Sequence, residues 1–398
     1  MPNETITAPE GFRANGVAAG IKTSGRLDVG LLVADAPTDA AAVFTQNRFC
    51  GAPIVVGRQH MKGGRLRAIV VNSGCSNVAT GARGLADARA TCRQVADALG
   101  APVRQVLPAS TGVIGEFLPM DKLGVGIDAA LGSLSPSAAA GRRFARAILT
   151  TDLKIKQACR RVRLGRATVT IAGCCKGSGM IAPRMATMLG YLTTDAHLAR
   201  GILNRLLREA VETSFNRVTI DECQSTSDMV VLMASGRSGR ADTQKRLASF
   251  ASALREVCES LAYQIAADGE GATRVLEVVV GGARTHGEAH AAARAIAVSP
   301  LVKTAVHGGD PNWGRIIQAL GQTQVRYAPD HVTVRLGGIV LFRRGAPARN
   351  LDRAALGRLM RKKHVTISAD LGAGTACDRV LTCDFSREYV TINADYHT

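Results

Sequence analysis

The chain has 398 residues, of which 46% are hydrophobic and 21% charged, and this length allows two domains or one large layered domain. No apolar run approaches the ~20 residues that cross a bilayer, and residues 1–5 are neither basic nor apolar enough for a targeting peptide. The composition argues against a membrane protein, and we predict a cytoplasmic one.

The cysteines and histidines show no metal-ligand spacing. The ten cysteines include no Cys-x-x-Cys, and adjacent Cys174 and Cys175 would point to opposite faces of a strand. Reduced, mostly buried thiols are therefore expected. One histidine pair has i, i+4 spacing, His286 and His290, but it lacks the carboxylate arrangement of a metalloprotease. The sequence predicts no metal site.

The formal net charge of +18 raises the hypothesis of nucleic-acid binding. The densest basic stretch, residues 343–363, matches no helix-turn-helix, zinc-finger or RNA-binding pattern, and aromatic residues make up only 4% of the chain. We interpret this stretch as a solvated basic face and keep nucleic-acid binding as the non-enzyme alternative. A positive potential would also attract an anionic substrate.

In chain order, the first predicted elements are strands at residues 29–33 and 68–71. The second strand leads into a polar segment, residues 72–81, which is either a network of Asx-type turns or part of a site at a strand end. Apolar residues at three- and four-residue spacing predict a helix over 85–99, which Gly100 can end.

Residues 110–115 form a small Thr-Gly turn that includes Thr111 and Gly112. Taken alone, this pattern predicts only a turn. Acyl transfer from an amide, however, needs donors aimed at the oxygen that becomes negative in the tetrahedral intermediate. A threonine hydroxyl and a backbone N–H beside a glycine can supply such donors.

The remaining elements alternate between strands and helices. Residues 162–164 and 167–171 predict a β-hairpin across Gly165. The later predicted elements are a helix through residues 198–210, a buried strand at 229–234, a helix at 247–265 and a strand at 275–280. This alternation predicts an α/β fold.

Residues 176–195 link the two halves of the chain. The segment begins with Lys176, has two glycines around Ser178, and ends at Asp195, which we interpret as a helix cap. Pro183 suits the first turn of a helix, and the apolar run 185–192 predicts that this helix is buried.

Thr187 has two interpretations. It is either a helix residue whose hydroxyl bonds a carbonyl one turn earlier, or a nucleophile. A threonine at a chain terminus carries its own base, the α-amine, and becomes terminal here if the Ala186–Thr187 bond is cut.

Residues 176–195 resemble the self-cleavage segment of the ArgJ family, the ornithine/glutamate N-acetyltransferases of arginine biosynthesis. The match runs Lys-Gly-Ser-Gly-Met-Ile, then Pro, Met-Ala-Thr-Met-Leu and Thr-Thr-Asp, with departures at Arg184 and at Gly190-Tyr191. The segments that resemble the family elsewhere are 42–48, 72–81, 145–152, 269–273, 299–305, 309–315 and 390–398. Elsewhere the chain departs from the family pattern at Cys75, Glu222-Cys223-Gln224 and His397.

The resemblance implies a layered α-β-β-α architecture and self-cleavage into residues 1–186 and 187–398. The two products would stay associated because their strands share one core, and an α2β2 heterotetramer is expected. The resemblance assigns the nucleophile to Thr187 and the oxyanion hole to Thr111 and Gly112. The implied substrate-binding residues are Thr150, Thr151, Lys176, Thr187, Glu270, Asn393 and Thr398. Without the resemblance, Lys176 is equally a surface lysine and Glu270 a solvated turn residue.

The implied reaction moves an acetyl group from N2-acetylornithine to L-glutamate through an acetyl ester on Thr187. Such a reaction needs neither a metal nor a redox cofactor, and it predicts ping-pong kinetics. The sequence leaves open whether acetyl-coenzyme A is also a donor. The rival enzyme is a self-processing amidohydrolase or aminopeptidase, which passes the acyl group to water.

Overall fold

The computed structural model describes residues 3–182 and 188–395, which form two compact units. Of the described residues, the first unit contains 3–182, 188–216 and 223–265. The second unit contains 217–222 and 266–395. The predicted α/β class is confirmed, because each unit combines one mixed β-sheet with helices. The predicted covalent division at residue 186 is not a boundary between these units and stays a prediction.

An eight-stranded sheet forms the centre of the first unit. Its strands are β1 (Phe12–Val17), β2 (Val29–Phe44), β3 (Arg65–Cys75), β4 (Val106–Val113), β5 (Lys156–Leu164), β6 (Ala167–Lys176), β7 (Leu189–Thr194) and β8 (Met229–Ala234). Their order is β4-β3-β2-β8-β7-β6-β5, and β1 pairs with β2. The pairs β3–β4 and β7–β8 are parallel, and the other pairs are antiparallel.

Six α-helices lie in the described residues of this first part of the chain. They are α1 (Ala52–Met61), α2 (Gly81–Leu99), α3 (Met120–Gly132), α4 (Ala138–Ala147), α5 (Arg200–Thr213) and α6 (Gln244–Ala267). Local sequence explains several of their ends. The hydroxyl of Ser137 accepts a hydrogen bond from the Ala140 N–H and caps the start of α4, and Gly100 ends α2 with a left-handed φ of 59°.

Most of the predicted elements are confirmed. The hairpin across Gly165 is present as β5 and β6, and the glycine has φ +69°, as its tight turn requires. The strand predicted at 229–234 is β8, with every residue buried. The strands predicted at 29–33 and 68–71 lie within β2 and β3.

The helix predicted over 185–192 is wrong from Leu189 onward. Leu189–Thr194 is the strand β7, and all six of its residues are buried. A strand covered on both faces carries a continuous apolar run, which periodicity cannot distinguish from a buried helix. The predicted cap at Asp195 is also wrong. Its carboxylate accepts the N–H of Thr170 at 2.7 Å, while α5 begins five residues later, at Arg200.

Strands from both sides of residue 187 lie next to each other in this sheet. β7 pairs along its whole length with the second part of β6, and Lys176 lies opposite Leu189. The adjacent Cys174 and Cys175 lie on β6, where neighbouring side chains alternate between the faces of the sheet, and both are buried. The predicted shared core of the two halves is therefore present.

The second unit has a six-stranded sheet in the order β12-β11-β10-β13-β9-β14. Its strands are β9 (Val275–Ala283), β10 (Thr333–Leu336), β11 (Ile339–Arg343), β12 (Ala346–Pro347), β13 (His364–Asp370) and β14 (Ala376–Cys383). Its helices are α7 (His286–Val298), α8 (Pro300–Gly308), α9 (Trp313–Gly321), α10 (Arg353–Met360) and α11 (Arg387–Asp395). Trp313 stacks on Phe342 with ring centroids 5.2 Å apart. In the described part of the chain, no helix is long and apolar enough to cross a membrane.

Tyr191 on β7 provides a test of the core of the first unit. The side chain is fully buried against Phe144, with ring centroids 5.3 Å apart, and its hydroxyl has no hydrogen-bond partner among the described residues. We expect Tyr191→Phe to increase the free energy of unfolding by about 1 kcal/mol, because an unsatisfied buried hydroxyl is removed. Urea unfolding measures the change.

The matched control is Tyr191→Ala, which should decrease the same free energy by about 3–5 kcal/mol through loss of the ring. A lower free energy of unfolding for Tyr191→Phe than for wild type would show that the Tyr191 hydroxyl has a hydrogen-bond partner, in conflict with the structure.

Candidate active site

The predicted oxyanion-hole residues lie at the end of β4, beside the end of β3. Gly112 pairs with Gly74 across the two strands. Its φ is +127°, and a Cβ atom at this position would lie 2.4 Å from the carbonyl carbon of Gly74. A residue with a side chain cannot adopt this backbone without displacing the neighbouring strand. Thr111 is buried next to it.

Polar side chains fix these strand ends. Asn72 donates from Nδ2 to the carbonyl of Cys75 at 2.8 Å and accepts the Ser110 hydroxyl at 2.6 Å. Farther on, the Asn77 side chain donates to the carbonyl of Gly84 at 3.0 Å and accepts the Thr80 hydroxyl at 2.7 Å. Side chains of residues 72–81 therefore form a hydrogen-bonded network at these strand ends, and the interpretation of the segment as part of a site stays a prediction.

A second group of predicted site residues surrounds the buried carboxylate of Asp152. Its oxygens accept hydrogen bonds from the Lys156 ammonium at 2.6 Å, the Gly177 N–H at 2.7 Å and the Thr150 N–H at 3.1 Å. Burial alone would raise the pKa of this carboxyl group. The ammonium groups of Lys156 and Lys176 outweigh burial and lower the pKa below its ordinary value.

This arrangement brings together three of the predicted substrate-binding residues. The Lys176 ammonium donates to the Thr150 hydroxyl at 3.3 Å. The Thr151 and Ser178 hydroxyls lie 2.7 Å apart. A cation and several hydroxyl groups at one place can bind a carboxylate.

Lys22 connects this group to the strand ends, and sequence reasoning missed it. Its ammonium donates to the carbonyls of Leu149 at 2.7 Å and Leu27 at 2.9 Å. A Cβ atom on Gly74 would lie 3.2 Å from the Lys22 side chain, so this lysine packs beside the strand that pairs with Gly112. Burial lowers the pKa of Lys22 to about 8, against the opposing effect of the nearby carboxylates Asp28 and Asp152.

Asp28 holds the segment that carries Lys22. Its buried carboxylate accepts the backbone N–H groups of Ala19, Ile21 and Lys22 at 2.6, 2.7 and 3.0 Å. A single aspartate within a Gly/Ala-rich region gives no sequence signal for such a role, because its partners are backbone groups.

In the second unit, the predicted substrate residues Glu270 and Asn393 are in contact. The Asn393 amide donates to Glu270 Oε2 at 2.9 Å and to the Tyr389 carbonyl at 3.0 Å. Gly271 has φ +69°, and a Cβ atom there would lie 2.5 Å from the Tyr389 nitrogen. The glycine therefore lets α11 approach the Glu270 turn, and Glu270 is only 9% exposed.

Two further interactions fix the surroundings of this pair. The Tyr389 hydroxyl donates to Asp221 at 3.3 Å, and the buried Lys303 ammonium donates to the Ile220 carbonyl. Burial lowers the pKa of Lys303, although Cys383 and Asp221 act in the opposite direction. These contacts connect residues 217–222 to the rest of the second unit.

Three predicted residues, Ala186, Thr187 and Thr398, lie outside the described residues. The structure thus brings together Thr150, Thr151 and Lys176 in one unit, and Glu270 and Asn393 in the other. Among residues 3–182 and 188–395, no group of three His, Cys, Asp or Glu side chains is arranged to hold a metal ion.

Comparison with known proteins identifies the family. Residues 13–398 match the ArgJ family. The chain belongs to this family. An arginine biosynthesis bifunctional protein ArgJ from Symbiobacterium thermophilum is 46% identical over 398 residues, with 99% of this chain and 98% of the relative covered. A relative of the same name from Geobacillus kaustophilus is 43% identical, with 99% and 96% covered.

A solved structure of the ArgJ family is also similar. The ornithine acetyltransferase from Mycobacterium tuberculosis, complexed with ornithine, is 40% identical with a TM-score of 0.42. It covers 46% of this chain and 97% of its own. On the sequence matches, the predicted family and enzyme class, an ArgJ acyltransferase of arginine biosynthesis, are confirmed.

The group of residues around Asp152 offers a test. We expect Asp152→Asn to decrease the free energy of unfolding by about 3–5 kcal/mol, because the variant leaves the Lys156 ammonium buried without its carboxylate. Because the pKa of Asp152 is lowered in the folded protein, its carboxylate stabilises the wild type fully when the pH is above the ordinary carboxyl pKa. That contribution is lost as the pH falls through the lowered pKa. Unfolding in urea across acid pH measures both effects.

The matched control is Asp242→Asn. Asp242 also pairs with a cation at i+4, Arg246, at 2.8 Å, but both side chains are exposed. This variant should unfold like wild type. Equal losses for the two variants would contradict a special role for Asp152.

Proposed function

We propose that the chain transfers the acetyl group of N2-acetylornithine to L-glutamate through an acetyl ester on Thr187. The match of residues 13–398 to the ArgJ family carries this proposal. The contacts around Asp152 and between Glu270 and Asn393 support it, because each contains residues predicted to bind substrate.

Self-cleavage prepares the nucleophile. The Thr187 hydroxyl attacks the Ala186 carbonyl carbon, and the C–N bond between Ala186 and Thr187 breaks, which leaves an ester and frees the Thr187 α-amine as a base. Water then hydrolyses the ester, which releases the Ala186 carboxylate and restores the Thr187 hydroxyl. Residues 1–186 and 187–398 then form the two chains of an α2β2 heterotetramer. The pairing of β6 with β7 supports their association, because each chain contributes one of these neighbouring strands.

The transfer then takes two steps. The Thr187 oxygen attacks the acetyl carbon of N2-acetylornithine, and the α-amine takes the hydroxyl proton. Thr111 and the Gly112 region donate hydrogen bonds to the oxyanion. As the C–N bond breaks, the proton moves to the leaving nitrogen and ornithine departs. The glutamate amine next attacks the ester carbon, and N-acetylglutamate leaves as the threonine oxygen regains its proton.

Substrate recognition follows the charges of the two amino acids. Lys176, together with Thr150 and Thr151, binds a substrate carboxylate. Glu270, oriented by Asn393, binds a substrate ammonium group, and Thr398 completes the set. The proposed partners are these small molecules and the sister chain; we propose no nucleic-acid partner, metal or resident cofactor.

Acetyl-coenzyme A is the second proposed acetyl donor. The relatives from Symbiobacterium and Geobacillus both carry the word bifunctional in their names, which favours a second activity. In this reaction the Thr187 oxygen bonds to the acetyl carbon as the carbon–sulfur bond breaks. The hydroxyl proton passes through the α-amine to the thiolate, and glutamate then takes the acetyl group as before.

Initial rates separate transfer from hydrolysis. We expect N2-acetylornithine to be consumed at least tenfold faster with glutamate than without it, and double-reciprocal plots to be parallel.

The intact mass of the purified protein should show two chains that meet at Ala186/Thr187. Thr187→Ala should remain one polypeptide without transfer activity. Equal rates with and without glutamate would identify an amidohydrolase, and a fully active uncut chain would refute the Thr187 mechanism.

Glu270 provides a test of substrate recognition. We expect Glu270→Gln to increase the KM for N2-acetylornithine at least tenfold, because a neutral amide loses the charge attraction to the substrate ammonium while keeping an oxygen for Asn393. Steady-state kinetics measure the change. The control is Glu388→Gln, an exposed carboxylate on α11, which should leave KM unchanged. Equal KM values for Glu270→Gln and wild type would remove Glu270 from the site.

A further inference from the structure

A cavity of about 720 Å³ lies beside Thr150 in the first unit. Its lining residues include four cationic side chains that come from three segments of the chain: Lys22, Arg26, Arg146 and Lys154. Lys22 is anchored by its bonds to two carbonyls, while Arg26 and Arg146 are exposed to solvent. The cavity thus combines one fixed ammonium group with guanidinium groups that can reach a ligand.

Cationic side chains outnumber carboxylates in the lining of this cavity. Among the described residues, no carboxylate oxygen lies within 4.0 Å of the charged groups of Lys22, Arg26 or Arg146. Asp152 is the one carboxylate among the lining residues, and Lys156 and Gly177 already occupy it. A concave surface of one charge sign concentrates ions of the opposite sign.

The size of the cavity indicates the class of ligand. Its volume falls in the range that binds drug-sized ligands and cofactors, and it exceeds what one amino acid fills. Arginine guanidinium groups bind phosphate through two parallel hydrogen bonds, which makes a phosphorylated ligand the best chemical fit. Thr150 lines the cavity and also contacts Lys176, so a ligand bound here lies next to the proposed substrate residues.

We propose that this cavity binds the phosphate-bearing nucleotide end of coenzyme A. The inference rests on the second donor reaction of the proposed function, and it assigns Arg26 and Arg146 to the phosphates. The thioester end then extends past Thr150 toward Lys176. N2-acetylornithine has no phosphate and does not use these arginines.

Titration calorimetry of the wild-type protein measures the binding of coenzyme A, which has no acetyl group to transfer. The result therefore tests the site even if acetyl-coenzyme A proves not to be a donor. We expect coenzyme A to bind at least tenfold more tightly than pantetheine, which lacks the nucleotide and its phosphates, and salt to weaken only the coenzyme A binding. Inorganic pyrophosphate should compete with coenzyme A. Equal affinities for coenzyme A and pantetheine, or competition by L-glutamate but not pyrophosphate, would overturn the proposal.

Variants locate the site. The double variant Arg26→Gln/Arg146→Gln should weaken coenzyme A binding about tenfold or more. It should also lower kcat/KM for acetyl-coenzyme A relative to that for N2-acetylornithine. The matched control is Arg142→Gln, which removes an exposed arginine from the same helix, α4, outside the cavity lining, and should leave this ratio unchanged. An equal loss of affinity in the control, or none in the double variant, would place the nucleotide elsewhere.

Discussion

The buried carboxylate of Asp152 is the interaction on which the first-unit site depends. It neutralises Lys156, which is itself almost fully buried, and it also accepts two backbone N–H groups. These two groups belong to Thr150, which follows α4, and to Gly177, which follows β6. The Asp152 carboxylate therefore holds both of these connections. A buried charge is tolerated only when all its hydrogen-bonding capacity is used, and here that requirement fixes the positions of Thr150 and Lys176.

The same principle operates at two other carboxylates. Asp28 uses both oxygens on backbone N–H groups of residues 19–22. Asp384 in the second unit accepts the N–H groups of Thr273 and Arg274 and the His307 imidazole. Burial alone would raise the pKa of Asp384, but the hydrogen bonds from Thr273 and His307 outweigh it and lower the pKa. Each carboxylate accepts hydrogen bonds from backbone N–H groups of a loop, which have no partner in a helix or sheet.

The sequence predicts the elements whose signals are local. Gly165 specifies its turn because that position needs a left-handed φ, and Gly100 ends α2 for the same reason. The prediction for β7 is wrong because a strand buried on both faces has the same continuous apolar run as a buried helix. Asp152 belongs to a segment that resembles the family, but its role depends on Gly177, 25 positions on, and the Lys22–Leu149 bond spans 127 positions. No local pattern encodes such partners, so the resemblance supplied the site residues and the structure supplied what holds them.

The sheet also bears on the cut that we propose between Ala186 and Thr187. β6 and β7 are neighbours, and their pairing runs from Lys176 opposite Leu189 to Ile171 opposite Thr194. The connection between them therefore starts and ends at the same end of the sheet, and residue 187 stands two positions before β7. Cutting this connection breaks one covalent bond but no hydrogen bond between the strands. The first residue of β7 is paired with Lys176, so this pairing would hold the two proposed products together.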